Sequence, residues 1–289
     1  MTVALSLDHI GAMVRDLDAG AARWRRLGFN LAPRSPQMGF DRATGAVTPW
    51  ATANHVAMFR RGYIELIGIV EPARPNPWAR FYERFEGIHI AAFRCPDADA
   101  AFADLRRRSD GFDPPLDRRR NAPYGEGVRE MRFRNIFSRD EYFPEGRFIV
   151  IEHQTPEVLW QEALMAHPNG AVALDAAIFC AADPAPTRDR LAAILGVAAE
   201  DTGPGAVRLA APGGGRVMVL DEAAFARRFP GAAPPPRPCM AGAAIGVADL
   251  ARTRALLARN GVTAHEGPDG TIWVAPADAN GGAMAFVQA

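Results

Sequence analysis

Four imidazole or carboxylate side chains stand inside short apolar runs, in the order His, Glu, His, Glu. They are His9 in Leu7-Asp8-His9-Ile10-Gly11, Glu65 in Tyr63-Ile64-Glu65-Leu66-Ile67, His89 in Gly87-Ile88-His89-Ile90-Ala91, and Glu152 in Phe148-Ile149-Val150-Ile151-Glu152. Such runs read as strands. A titratable side chain lodged in a buried strand is costly unless it is paired or holds a metal, so the recurrence points to a metal site. Two imidazoles and two carboxylates suit a divalent first-row ion (Zn, Ni, Co, Mn or Fe), and an octahedral ion would keep positions for water or substrate. A substrate with adjacent oxygens can chelate there, the ion acting as a Lewis acid on an enediolate or enolate while a carboxylate moves a proton.

The elements that must carry these residues follow from periodicity. In a strand His9 shares a face with Leu7, Gly11 and Met13, and His89 shares one with Gly87 and Ala91. Glu65 lies with Tyr63 and Ile67, and Glu152 with Phe148 and Val150, so each strand can bury one face under a helix and offer the other to a shared cavity. His153 adjoins Glu152, and a one-residue slip of register would bring it into the cavity instead. The chain also repeats itself. Val14-Arg15-Asp16-Leu17 opens a helical pattern ending at Gly28-Phe29, and Val247-Ala248-Asp249-Leu250 opens another ending at Gly261-Val262, at the same Asp-to-Gly interval. The Asp suits an N-cap and the Gly the left-handed position after the helix. Looser copies run from His89 through a helix at about 97–107, and from Leu174 through a helix at about 187–195. Each strand and helix is followed by further strands, among them 30–33, 54–60, 63–70, 128–137 and 147–152. The boundaries fall in the Pro-rich stretch 71–78, the connection 155–170, whose part 156–167 reads as helical, and 230–238.

This plan resembles the vicinal oxygen chelate superfamily, especially its glyoxalase-like members, over nearly the whole chain. The resemblance implies an α+β fold of four βαβββ modules paired into two cup-shaped mixed sheets with flanking helices. A metal-binding half would span 1–155 (modules 1–72 and 86–155), a helical connection 156–170, and a degenerate metal-free half 171–289. It maps the four metal ligands onto His9, Glu65, His89 and Glu152, with Glu152 as first choice for the catalytic base and Glu65 as second. Ala176, Met218 and Ala243 stand near the positions of His9, Glu65 and His89 in the second half, and only Gln288, aligned with Glu152, keeps ligand capacity.

Around this centre, Tyr63, His55, Arg132 and Arg134 are candidate substrate contacts. Glu130, Arg132 and Arg134 share one side of their strand, and arginines there could hold a carboxylate or phosphate. Arg118-Arg119-Arg120 reads as an exposed loop, His167 as part of a turn with Pro168 and Asn169, and His265 as a surface residue. The 289 residues are 48% hydrophobic with zero formal charge, enough for real cores and without a basic face for nucleic acid. All 33 basic residues are arginine, which removes Schiff-base chemistry and a P-loop lysine. Cys95, Cys180 and Cys239 are far apart and lack paired spacing, the start lacks a secretory pattern, and no apolar stretch reaches membrane-spanning length, so a reduced cytoplasmic protein is expected. The partner expected is a small-molecule substrate, and the modules leave open a homodimer. The leading function is a metal-dependent lyase or isomerase. An Fe(II) ring-cleaving dioxygenase of extradiol type and a non-catalytic binding protein are the alternatives.

Overall fold

The alternating runs pair into two eight-stranded sheets in the computed structural model of the chain, which describes residues 2–40 and 47–289. The first half holds β1 (Ser6–Val14), α1 (Leu17–Arg26), β2 (Ser35–Phe40), β3 (Val47–Met58), β4 (Tyr63–Ile69), α2 (Ala79–Arg84), β5 (Gly87–Arg94), α3 (Ala98–Arg106), β6 (Leu116–Tyr124), β7 (Gly127–Phe137) and β8 (Arg147–His153). After α4 (Pro156–Leu159) the second half follows the same plan. It comprises β9 (Ala171–Cys180), α5 (Ala185–Leu195), β10 (Glu200–Gly203), β11 (Ala206–Ala210), β12 (Arg216–Leu220), α6 (Glu222–Arg228), β13 (Cys239–Val247), α7 (Leu250–Arg259), β14 (His265–Glu266), β15 (Ile272–Val274) and β16 (Ala283–Gln288). The sheets have the orders β2-β3-β4-β1-β5-β8-β7-β6 and β10-β11-β12-β9-β13-β16-β15-β14, which are the same topology. In each, two βαβββ modules meet at a central antiparallel pair, β1 with β5 and β9 with β13.

The helices sit where their caps dictate. Asp16, Asp97 and Asp249 accept the backbone N–H of Ala19, Ala100 and Arg252, and Gly28 and Gly261 follow α1 and α7 at φ 86° and 69°. Ile10, Ala12 and Val14 face the helices and join a core that also takes Trp24, Phe148, Phe179 and Phe286, so one apolar interior runs through both halves. The opposite face of the first sheet carries Met13, Ile67, Ile90, Ile149 and Ile151. Among the described residues no helix is long and apolar enough to cross a membrane.

Several elements differ from expectation. The strand after α1 is 35–40, not 30–33, and the next begins at Val47. Arg118-Arg119-Arg120 lies in β6, an edge strand laddered onto β7, not in a loop. The connection is helical only at Pro156–Leu159 and in a short turn at Glu162–Leu164, because the chain leaves helical geometry at Trp160 and sends its indole inward to the Phe59 carbonyl, 3.1 Å away.

Candidate functional site in the first cup

The first sheet curls around a cavity of about 380 Å³. Strand register decides which side chains enter it. On β1 a bulge falls between Leu7, paired with Phe93, and His9, paired with Ala92, which leaves Asp8 as the extra residue. His9 lines the cavity, and Asp8 lies buried behind it, accepting from His9 Nδ1 at 2.7 Å and from His153 Nε2 at 3.2 Å. Gly62 lets the turn before β4 pass close to the backbone of this bulge. Its φ is 74°, and a Cβ there would sit 2.6 Å from the Asp8 carbonyl oxygen.

The electrostatics follow from this burial. Burial pushes the Asp8 carboxyl up, but the charge and hydrogen bonds of His153 and His9 outweigh it and hold the group well below the usual carboxylate range. An ionised carboxylate only accepts hydrogen bonds, so both imidazoles must donate to it: the His9 proton belongs on Nδ1 and the His153 proton on Nε2. In its neutral form His9 then presents Nε2 to the cavity as the free lone pair. Tyr63 stacks on His9 with centroids 4.4 Å apart, and Trp160 closes edge-on over Tyr63 and His153 at 5.9 Å and 5.0 Å. Burial, then the charges of Asp8 and Glu65, pushes the Tyr63 phenol well up, so it stays protonated.

Parallel pairing of β1 with β4 sets Tyr63 beside His9 and Glu65 beside Gly11, and Glu65 faces the cavity with a hydrogen bond from Asn54 Nδ2. In the row that holds His9, the neighbours on β5 and β8 are Ala92 and Ile149; in the row of Glu65 they are Ile90 and Arg147. Trp50, Trp78, Met131, Phe133 and Phe137 complete apolar walls, while Gln37, Asn135, Arg147 and the three arginines of β6 supply polar groups. Arg120 donates to Ser35 Oγ at 3.1 Å, and its buried Nε has no partner among the described residues.

The sequence reading brings His9, Glu65 and Tyr63 into this cavity, but His89 and Glu152 do not join them. A second bulge pairs Gly11 with Ile90 and Ala12 with Ile88, and His89 between them turns onto Phe81 and Phe85, its Nε2 donating to the Phe85 carbonyl at 2.9 Å. Burial pushes its imidazole down to about 4, so it is neutral near pH 7. On β8 the helix-side core takes Phe148 and Val150, and Glu152 follows their parity: it accepts from Ala98 N, at the start of α3, at 2.9 Å. His153 enters the cup in its place. His55 spends Nδ1 on the Ala32 carbonyl at 2.7 Å and does not line the cavity. Arg134 turns outward to Asp99, 2.7 Å away, and Asp117, and Arg132 is an exposed partner of Glu130, because β7 gives Met131, Phe133 and Asn135 to the cup. His167 is a buried strut between Asn30 N and the Met58 carbonyl, and His265 stacks on Trp273.

The cup's donors are therefore His9, Glu65 and His153, with one nitrogen of each imidazole committed to Asp8. Among the described residues no three His, Cys, Asp or Glu side chains are arranged to hold a metal ion. A four-ligand metal centre does not fit this donor set, since apolar residues occupy the matching places on β5 and β8. What the arrangement can do is hold a proton acceptor, His9 Nε2, in a largely apolar chamber. Asp8 and His153 are the site residues that the sequence reading left out or ranked second. The signal for Asp8 was a charged residue inside a buried strand, next to an imidazole able to pair with it.

The match to a family model for a glyoxalase-like domain covers residues 7–195. No curated protein matches the chain. Among solved structures, a hypothetical protein from Staphylococcus aureus superposes with TM-score 0.64 at 11% identity, over 99% of this chain and 100% of that one. A triple mutant of 4-hydroxymandelate synthase from Streptomyces coelicolor gives 0.58 at 13% identity, over 99% and 93%. The 2,3-dioxygenase LapB from Pseudomonas sp. KL28 gives 0.54 at 14%, over 100% and 93%. At these identities the likeness is one of fold.

Proposed function

The chain belongs to the glyoxalase-like domain family, on the vicinal oxygen chelate fold, and we propose that its first cup binds a small organic acid with an apolar body and moves a proton on it through His9. The observation that carries this reading is the buried Asp8 carboxylate shared by His9 and His153. A carboxylate on Nδ1 fixes the imidazole's tautomer and orientation and stabilises the cation formed when Nε2 takes a proton, which is how a histidine becomes an effective general base. Glu65 stands on the neighbouring strand as a second acid or base, and the rim arginines of β6 offer bidentate partners for a substrate carboxylate. The aromatic walls match a flat or branched apolar body. This keeps the lyase or isomerase chemistry read from the sequence and changes the group that accepts the proton, from a metal-bound carboxylate to His9.

The test is deuterium incorporation from heavy water into small aromatic carbonyl acids, followed by NMR. The protein would be used after chelation and again with Zn, Ni, Co, Mn or Fe(II) restored. The chelated protein is expected to exchange the proton, His9→Ala to lose roughly a hundredfold or more of that rate, and His89→Gln to retain it. Exchange seen only with a restored metal would favour a metal-dependent isomerase or lyase. Oxygen uptake with an aromatic diol would favour a ring-cleaving dioxygenase, and saturable binding without exchange a binding protein.

A further inference from the structure

The second sheet repeats the topology of the first and encloses a cavity of its own, about 550 Å³. Its pairing register matches that of the first cup: Ala176 pairs with Arg216 and Ile178 with Met218, as His9 pairs with Tyr63 and Gly11 with Glu65. The proton-handling residues are gone: Ala176 and Ile178, at the places of His9 and Gly11, are packed in a buried cluster with Phe225 and Phe229 of α6, and the cavity opens beside that cluster. Ala206, Met218, Leu220 and Val287 make an apolar floor, and arginines supply the charge.

Three of these arginines are accounted for. Arg208 grips Glu200 at 2.7 Å, Arg216 holds Asp175 at 2.5 Å, and Arg227 donates to the Pro204 carbonyl. Arg228, at the end of α6, is different. It lines the cavity partly buried, with its guanidinium 5.8 Å from the centre of the Phe229 ring. Its Nε is buried without a hydrogen-bond partner, and it has no ion pair among the described residues. Four arginines and one carboxylate, Asp269, line the cavity, while Glu200 and Asp175 pair with Arg208 and Arg216 from outside its lining. Burial weakens the hold of Arg228 on its proton and the nearby Arg216 adds to this, outweighing the opposite pull of Asp269 and Asp175. A guanidinium partly withdrawn from water and without an ion pair favours an anion beside it, and its fork of donors matches a carboxylate.

We infer that the second cup is a binding site for a small monoanionic organic acid, whose carboxylate pairs with Arg228 while its apolar body rests on Met218 and Leu220. The site is separate from the first cup and does not depend on the reaction proposed there.

Methionine methyl NMR separates the two cups in the intact protein, because Met218 lines the second and Met38 and Met131 the first. Benzoate is the probe, with benzyl alcohol as its neutral counterpart. The Met218 methyl is expected to shift saturably with benzoate and not with benzyl alcohol. Arg228→Gln should weaken the benzoate response by roughly tenfold or more, the worth of one charge-assisted hydrogen bond. A still Met218, an equal response to the alcohol, shifts confined to Met38 and Met131, or undiminished binding by a folded Arg228→Gln protein would each overturn the proposal. Should that variant fail to fold, the benzoate and alcohol comparison on the unaltered protein decides alone.

Discussion

A carboxylate without solvent exposure persists in a strand only when its lone pairs are taken, and Asp8 gives its own to His9 and His153. Its lowered pKa contributes stability that is complete above the ordinary value of 3.8 and is lost as the pH falls from there through the folded value. Asp8→Asn is therefore expected to cost about 2 to 3 kcal/mol at neutral pH, and to flatten the acid limb of a urea-unfolding series. A limb as steep as the parent's would count against the shared pair. His89 works in another window. Its imidazole is held near 4 against an ordinary 6.5, so the folded protein declines a proton that the unfolded chain takes, and stability is lost as the pH falls from 6.5 towards 4. His89→Gln, which can still donate to the Phe85 carbonyl, should remove a loss of up to about 3 kcal/mol across that interval. These two residues also show what the sequence could reveal of the site. Glu65 was legible because parity held along β4, and His9 because it held on β1 from His9 onward, although the bulge at Asp8 turns Leu7 to the helix side and off the face expected for it. His89 carries the same signature of a titratable group in an apolar run, yet a bulge turns it to a local partner. β8 is apolar on both faces, so its alternation could not tell Glu152 from His153.

The repeated strand–helix unit explains what Glu152 does instead. Glu152 at the end of β8 accepts from Ala98 N, the first residue of α3, and Gln288 at the end of β16 accepts from Leu250 N, the first residue of α7, at 3.2 Å. The two halves thus use one acceptor position for one structural task, tying the last strand of a module to its helix N-terminus. An amide suffices at Gln288, so Glu152→Gln should cost less than about 1 kcal/mol, while Glu152→Ala should cost about 1 to 2 kcal/mol through loss of the cap. Thermal unfolding of both variants measures the difference, and equal losses would contradict the capping role. The framing of these helices was readable from the sequence because Asp at the N-cap and Gly after the last turn each answer a backbone requirement. β6 was hidden for the opposite reason. Its residues, Leu-Asp-Arg-Arg-Arg-Asn-Ala-Pro-Tyr, show no apolar alternation, and its place comes from the β7 ladder and from charges that guard a sheet edge.

At the scale of the molecule, the two cups share an interior. The core that surrounds Trp24 and Phe148 continues to Phe179, Leu195 and Phe286, and polar ties cross the same junction. Asn169 donates to the Leu27 carbonyl at 3.0 Å, Asn280 to the Gly20 carbonyl at 3.0 Å, and Arg108 to the Ala193 carbonyl at 2.7 Å. The most exacting tie is Glu145, whose side chain is fully buried and accepts from Thr187 Oγ1 and from Arg190, each at 2.5 Å. Removing that carboxylate would strand a partly buried guanidinium and a hydroxyl, so Glu145→Ala is expected to cost about 3 kcal/mol. Because the junction is continuous core, that loss should fall on both halves together. Fluorine labels on Trp24 in the first half and Trp273 in the second report each side separately, both being buried. Their urea transitions should coincide in the parent protein and move by the same amount in the variant. If Trp273 held its midpoint while Trp24 shifted, the halves would be independent folding units, and the second cup would be open to change without consequence for the first.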